Sequence, residues 1–142
     1  MEMVIAAGLA VLLFGLCGVV HAHAMSFVMR LTERRNVTGM RGLLVALYVL
    51  AMAHVAEAGL YALGFALGEQ MGVGGFKAGN VTSFMDVFYF SVVNYTSLGL
   101  GDIYPTGHLR FLAGVEALNG FLLISCSAST IFLVTTHDKR RP

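Results

Sequence analysis

The sequence predicts an all-α integral membrane protein, with three transmembrane helices and a shorter re-entrant helix that enters the membrane without crossing it. Three observations lead there. Of 142 residues, 57% are hydrophobic and only 12% charged, against about a quarter charged in an ordinary soluble domain. Mean hydropathy is +0.77. Three apolar stretches each reach the roughly 20 residues that cross about 30 Å of hydrocarbon as a helix.

The first stretch runs from Met3 to Met29, within an N-terminal span over 1–29. The second runs from Gly42 to Gly68, and the third from Phe111 to Thr136 in a helix expected over 109–136. A fourth, Phe84 to Tyr95, is too short to span and suits a re-entrant helix over 83–95, tolerated where protein buries it.

Charge sets the orientation. The segment 30–41 holds Arg30, Arg34, Arg35 and Arg41 against Glu33, and the tail Asp138-Lys139-Arg140-Arg141 is also basic. The positive-inside rule makes both cytoplasmic. The N-terminus, with Glu2 alone, lies outside, and so does the segment Glu69 to Arg110. The expectation is a multi-pass plasma-membrane protein, in a compact form that suits a bacterial inner membrane. Ala22-His23-Ala24 offers a rival signal-peptidase reading. The absence of a positive n-region and the long apolar run oppose it, and cleavage would leave the basic loop outside.

Composition also excludes. A net charge of +1 without a basic stripe points away from nucleic acid and leaves membrane lipid as the surroundings. Cys17 and Cys126 sit in apolar runs and read as small buried hydrophobes. No triad, metal motif or paired carboxylates stand at usable spacing, so no enzyme is expected. No span carries an arginine at every third position, the pattern of a voltage sensor. The few residues after the third span hold no ligand-binding domain, leaving gating to the loop after the re-entrant helix, to lipid, to protons or to a separate regulatory protein. The sequons at Asn36-Val37-Thr38 and Asn80-Val81-Thr82 are of the kind that arises by chance.

The chemistry lies in Tyr95-Thr96-Ser97-Leu98-Gly99-Leu100-Gly101-Asp102-Ile103-Tyr104-Pro105. Gly99 and Gly101 adopt positive φ without steric cost. Alternating such residues with ordinary ones turns successive carbonyls to one side, and four copies around an axis stack them into rings that replace a cation's water shell. Ser97 adds a hydroxyl at the inner end, and Asp102 places a carboxylate at the outer mouth. Ser83 and Asp86 have the capping-box spacing at the start of the short helix. The C-terminal dipole of that helix then favours a cation beyond Tyr95. Phe88, Tyr89, Phe90 and Tyr95 supply bulk to pack the loop, or else anchor at the lipid interface.

Thr96-Ser97-Leu98-Gly99-Leu100-Gly101-Asp102 resembles the T-T-V-G-Y-G-D filter signature of tetrameric potassium channels. The resemblance covers roughly Gly42 to Thr136, about two-thirds of the chain, and is closest to small bacterial two-transmembrane members with an extra N-terminal span. It implies a pore domain over 42–142, with an outer helix over 42–68, a pore helix over 83–95, a filter over 96–102 and an inner helix over 109–136. It implies a homotetramer that binds K+ at Ser97, Leu98, Gly99 and Leu100 as permeant ion, with no organic cofactor. Gly101 permits the turn, Gly120 falls at the inner-helix hinge, and Glu116 with Tyr95 supports the filter. Two positions depart from the signature. Ser97 replaces threonine but keeps the hydroxyl. Leu100 replaces the aromatic that braces the filter, as in one of the two filters of some two-pore-domain potassium channels.

The resulting expectation is passive potassium-selective conduction. The alternatives are a non-selective monovalent cation channel, softened at Leu100, and a non-conducting sensor or scaffold subunit. His54 and Glu57, three apart on one face of the second span, are candidates for ion sensing. His21 and His23 point to different helix faces, a poor shared metal site, and read as interfacial. A haem held by His21 or His23 with His54 is the remaining cofactor alternative. Ser125, Ser127 and Ser129 either line a hydrated cavity or ease helix approach.

Overall fold

The computed structural model describes residues 1–34, 39–77 and 81–138. Arg35, the basic residues Lys139 to Arg141, the sequon Asn36 to Thr38 and Asn80 of the second sequon lie outside the described residues. The elements are α1 (Glu2–Arg34), α2 (Gly39–Gln70), β1 (Phe76–Lys77), α3 (Phe84–Tyr95), β2 (Tyr104–Pro105) and α4 (Leu109–Asp138). α1, α2 and α4 are each long and apolar enough to cross a membrane, which makes this a multi-pass membrane protein.

The long helices outrun their apolar stretches. The expected basic loop over 30–41 is shorter than its charge pattern suggested, because α1 continues through Arg30 to Arg34 and α2 begins at Gly39. Leucine, glutamate and arginine are good helix formers, so the helix continues past the point where hydropathy falls. At about 1.5 Å per residue, the 33 residues of α1 reach about 50 Å.

α1 packs against both α2 and α4. Its buried stripe is Ala6, Ala10, Leu13, Cys17, His21 and Val28, at the three- and four-residue steps of one helix face. Small residues on the stripe let backbones approach. On α2, a Cβ at Gly64 would run into Leu13, and one at Gly68 would meet Leu109 at 2.7 Å. The starts of α1 and α4 lie at the same end, where Glu2 and His108 approach to 3.9 Å. α2 runs the opposite way.

Two apolar clusters fill the bundle. The larger joins α1, α2, α3 and the start of α4 through residues such as Tyr61, Phe65, Phe90, Tyr95 and Leu112. The smaller sits toward the other end, on Val28, Ala46, Leu50 and Val134. A belt of buried polar side chains, His21, Glu57, Ser91, Glu116 and Ser127 among them, lies between these helices.

α3 starts as its sequence dictates. Ser83 is the N-cap, its side chain accepts from the Asp86 backbone N–H, and Asp86 closes the capping box. Phe90 then meets Phe65 and Phe76 edge-on, with ring centroids 5.3 and 5.2 Å away. β1 and β2 pair antiparallel, Phe76 with Pro105 and Lys77 with Tyr104. This short ladder, which the sequence did not announce, ties the end of α2 to the start of α4. Gly107, at φ +57°, allows the close pass, since a Cβ there would stand 2.8 Å from the Val73 carbonyl oxygen.

Candidate functional site

The segment after α3 leaves the helix in an ordered way. The Thr96 hydroxyl donates to the Val92 and Val93 carbonyls at 3.0 Å each, and Ser97 N–H donates to Asn94 O at 2.9 Å. The backbone then alternates. Ser97, Gly99 and Gly101 take φ values of 58°, 57° and 77°, while the two leucines between them do not. Ser97 is the only non-glycine residue at positive φ among those described, a conformation that costs an L-residue about 1–2 kcal/mol. In the single chain, a Cβ at Gly99 or Gly101 would touch nothing within 4 Å. These glycines therefore serve dihedral freedom and not space.

Thr96 to Asp102 are all exposed in the chain, with Leu98 at 66% and Leu100 at 58%. A cavity of about 30 Å³ lies between α3 and this loop, bordered by Phe90, Val93, Asn94 and Leu100 among others. Asp102 fastens the far end of this loop, where its carboxylate accepts from the Tyr89 hydroxyl at 2.9 Å and from the Ile103 N–H at 3.1 Å. That bond raises the Tyr89 phenol above its usual 10.0.

α3 is held from behind by α4. Glu116 is fully buried and bonds the Ser91 hydroxyl, and it accepts from Asn94 Nδ2 at 2.6 Å. Ser91 also reaches the Ala58 carbonyl at 2.6 Å, and Asn94 the Ala113 carbonyl at 2.8 Å. Gly120 sits where α4 crosses the end of α3, and a Cβ there would collide with the Tyr95 carbonyl. α4 stays helical through this point.

A second network lies in mid-bundle. Tyr95 donates to the Glu57 carboxylate, and its hydroxyl is 3.0 Å from His54 Nδ1. His54 Nδ1 is 3.3 Å from Glu57 Oε2. From α1, His21 Nδ1 stands 3.0 Å from Glu57 Oε1. The far nitrogens converge on one hydroxyl of α4, with His54 Nε2 at 2.9 Å and His21 Nε2 at 3.2 Å from Ser127 Oγ. Cys17 Sγ lies 3.8 Å from the Glu57 carbonyl.

A family model described as ion channel matches residues 48–137, more than half of the chain, and takes in most of α2, all of α3, the glycine loop and all but the last residue of α4. The chain belongs to this small pore-loop ion-channel family. No curated protein and no solved structure matches it. The channel family's matched segment leaves α1 outside, although α1 supplies His21 to the network.

Within the channel chain, several site expectations change. His21 is 1% exposed and packed into the bundle, not interfacial. Its helix position faces α2 and α4, which one sequence stripe could not reveal. His23 does point elsewhere, exposed, with Nδ1 2.7 Å from its own helix carbonyl at Val19. His21 and His54 have ring centroids 4.9 Å apart beside one carboxylate, which leaves no room for a porphyrin between them. Cys17 is buried, but Cys126 is exposed in the chain and corrects the expectation of a buried thiol. Ser125 and Ser129 bond their own helix carbonyls, while Ser127 alone turns inward. Ser91 and Asn94 escaped the sequence reading, and Ser127 was read there only together with Ser125 and Ser129. The three-residue spacing of Ser91 and Asn94 in an otherwise apolar helix was the available signal.

Proposed function

We propose that this ion channel conducts potassium passively and selectively through a pore built by four identical chains around the loop 96–102. The observation that carries the proposal is the alternation of positive φ at Ser97, Gly99 and Gly101 directly after α3. Such an alternation turns the carbonyls of Ser97, Leu98, Gly99 and Leu100 toward one side. Rings of these oxygens from four chains take the place of an ion's hydration shell. The exposure of the whole loop and of Leu118 and Phe121 on α4 in the single chain supports burial against neighbouring copies. In this reading α2 is the outer helix, α3 the re-entrant pore helix and α4 the inner helix. Glu116 and Tyr95 hold the loop from behind, Asp102 shapes the outer mouth, and Gly120 belongs to the contact between inner and pore helices.

The small cavity beside Leu100 favours one second reading, a non-selective monovalent cation channel. Leucine leaves free space behind the loop and offers no hydrogen bond to brace it. The test is flux from liposomes holding only this protein, loaded with potassium salt and diluted into sodium or N-methylglucamine. Cation uptake driven by the potassium gradient, closed to sodium and blocked by barium, supports the potassium channel. Equal sodium and potassium flux, sharpened by Leu100→Tyr, supports the second reading. Absence of flux from intact oligomers overturns both and leaves a sensor or scaffold.

A further inference from the structure

We propose that His21, His54 and Glu57 form a binding site for one divalent transition-metal ion of the Zn2+ class in the middle of the helix bundle. One ligand atom from each lies within 4.8 Å of the others. One imidazole stands on each carboxylate oxygen, His21 Nδ1 at 3.0 Å from Glu57 Oε1 and His54 Nδ1 at 3.3 Å from Glu57 Oε2, distances close to the ligand spacing on a tetrahedral ion. Atoms bound at about 2.0–2.1 Å to such an ion stand about 3.3 Å apart. Two ligands share one face of α2 and the third comes from α1, so rigid helices fix the set.

The imidazoles are already turned for it. Both Nε2 atoms rest on Ser127 Oγ, and both Nδ1 atoms face the carboxylate. Metal-bound histidines are oriented in this way, by an acceptor on the nitrogen that does not bind the ion.

Proton counting leads to the same site. Two neutral imidazoles, Ser127 and Tyr95 carry one polar proton each. Six contacts join these groups to one another and to Glu57, so some face each other without a proton between them. Glu57 has no lysine or arginine partner among the described residues, and its ion-pair partners are the two histidines. An ion on both Nδ1 lone pairs supplies the missing positive charge. Both Nε2–H groups then donate to the two lone pairs of Ser127 Oγ. The Tyr95 hydroxyl or a water completes the fourth position. Two imidazoles and one carboxylate suit zinc and its neighbours, not K+, Mg2+ or Ca2+, which take oxygen ligands. His54, 21% exposed, is the open side of the site.

The experiment is titration of Co2+ into purified full-length protein that has been stripped with a chelator. The expected result is one ion per chain with the intense visible absorption of a tetrahedral site, abolished by an excess of Zn2+. His21→Gln and His54→Gln should each weaken binding at least tenfold, while His23→Gln leaves it unchanged. X-ray absorption of the zinc-loaded wild type needs no variant and should show two imidazoles and oxygen. No bound ion, a sulfur ligand, or a band that survives in the His21→Gln/His54→Gln double variant overturns the proposal and leaves a protonated hydrogen-bond cluster. The measurements are made in detergent without flux, so their failure is distinct from failure of the conduction reading. That reading supplies only the site's consequence, a grip on Tyr95 beside Thr96.

Discussion

The phenol of Tyr95, the last residue of α3, donates to the carboxylate of Glu57 in the middle of α2. Through this bond a mid-bundle charge holds the residue that precedes the glycine loop. Tyr95→Phe removes the donor and keeps the ring. We expect a stability loss of about 1–2 kcal/mol, the upper range for interhelical hydrogen bonds in membranes. Thermal unfolding in detergent reads it, and an unchanged midpoint would mean that the bond contributes nothing.

Glu116 makes a sharper pair of variants. One carboxyl oxygen meets the Ser91 hydroxyl and the other accepts from Asn94. In Glu116→Gln the amide donates to Ser91 Oγ, which donates onward to the Ala58 carbonyl, and the amide oxygen still accepts from Asn94. Glu116→Ala leaves Asn94 and Ser91 short of partners and opens a cavity, at a cost of about 2–4 kcal/mol. The expected order of stability is therefore wild type, near-equal Gln, and a much weaker Ala variant. A Gln variant as damaged as the Ala variant would show that the carboxylate charge itself is required.

Two glycines on α4 separate contact from flexibility. At Gly120 a Cβ would strike the Tyr95 backbone, whereas at Gly114 it would touch nothing within 4 Å of the chain. Gly120→Ala should lose about 1–3 kcal/mol through overpacking. Gly114→Ala should gain slightly, because alanine favours the helix by about 1 kcal/mol. Equal effects at both positions, read by thermal unfolding, would assign Gly120 to helix bending alone.

The start of α3 carries a pH prediction. The Thr82 backbone N–H, then the Ser83 side chain and backbone, hold the Asp86 carboxyl below its ordinary 3.8. A depressed carboxyl stabilises the fold above its unfolded value and loses that contribution as pH falls through the lower folded value. The capping box should thus be intact at neutral pH and weaken only below about pH 4. Unfolding of wild type and Asp86→Asn at pH 7 and pH 3 should show a difference at pH 7 that shrinks at pH 3. A difference that grows with acid would reverse the sign and the assignment.

The long helices, the capped short helix and the glycine loop were legible because each obeys a local rule. Apolar length marked α1, α2 and α4. Ser83 and Asp86 marked the start of α3, and Gly99 with Gly101 marked the loop. The pair His54 and Glu57 was visible from its spacing on one helix. What stayed hidden depends on contacts between distant segments. His21 and Ser127 stand 106 residues apart, and nothing local tells which face of α1 turns inward. The same holds for Ser91 and Asn94, whose partner is on α4, and for the ladder of Phe76 and Lys77 with Tyr104 and Pro105. Leu31 to Arg34 continued α1 because helix propensity, not hydropathy, decides where a helix stops outside the membrane.

His21 has one more consequence, in biosynthesis. α1 leaves the ribosome before α2, so it is in place when Glu57 reaches the bilayer. A lone acidic side chain at the centre of an inserting helix costs on the order of 3 kcal/mol. An imidazole already waiting in the lipid at the matching depth offers that carboxylate a partner on arrival, before Tyr95 and Ser127 have been synthesised. The order of the chain thus lets the partner of Glu57 be made before Glu57 itself.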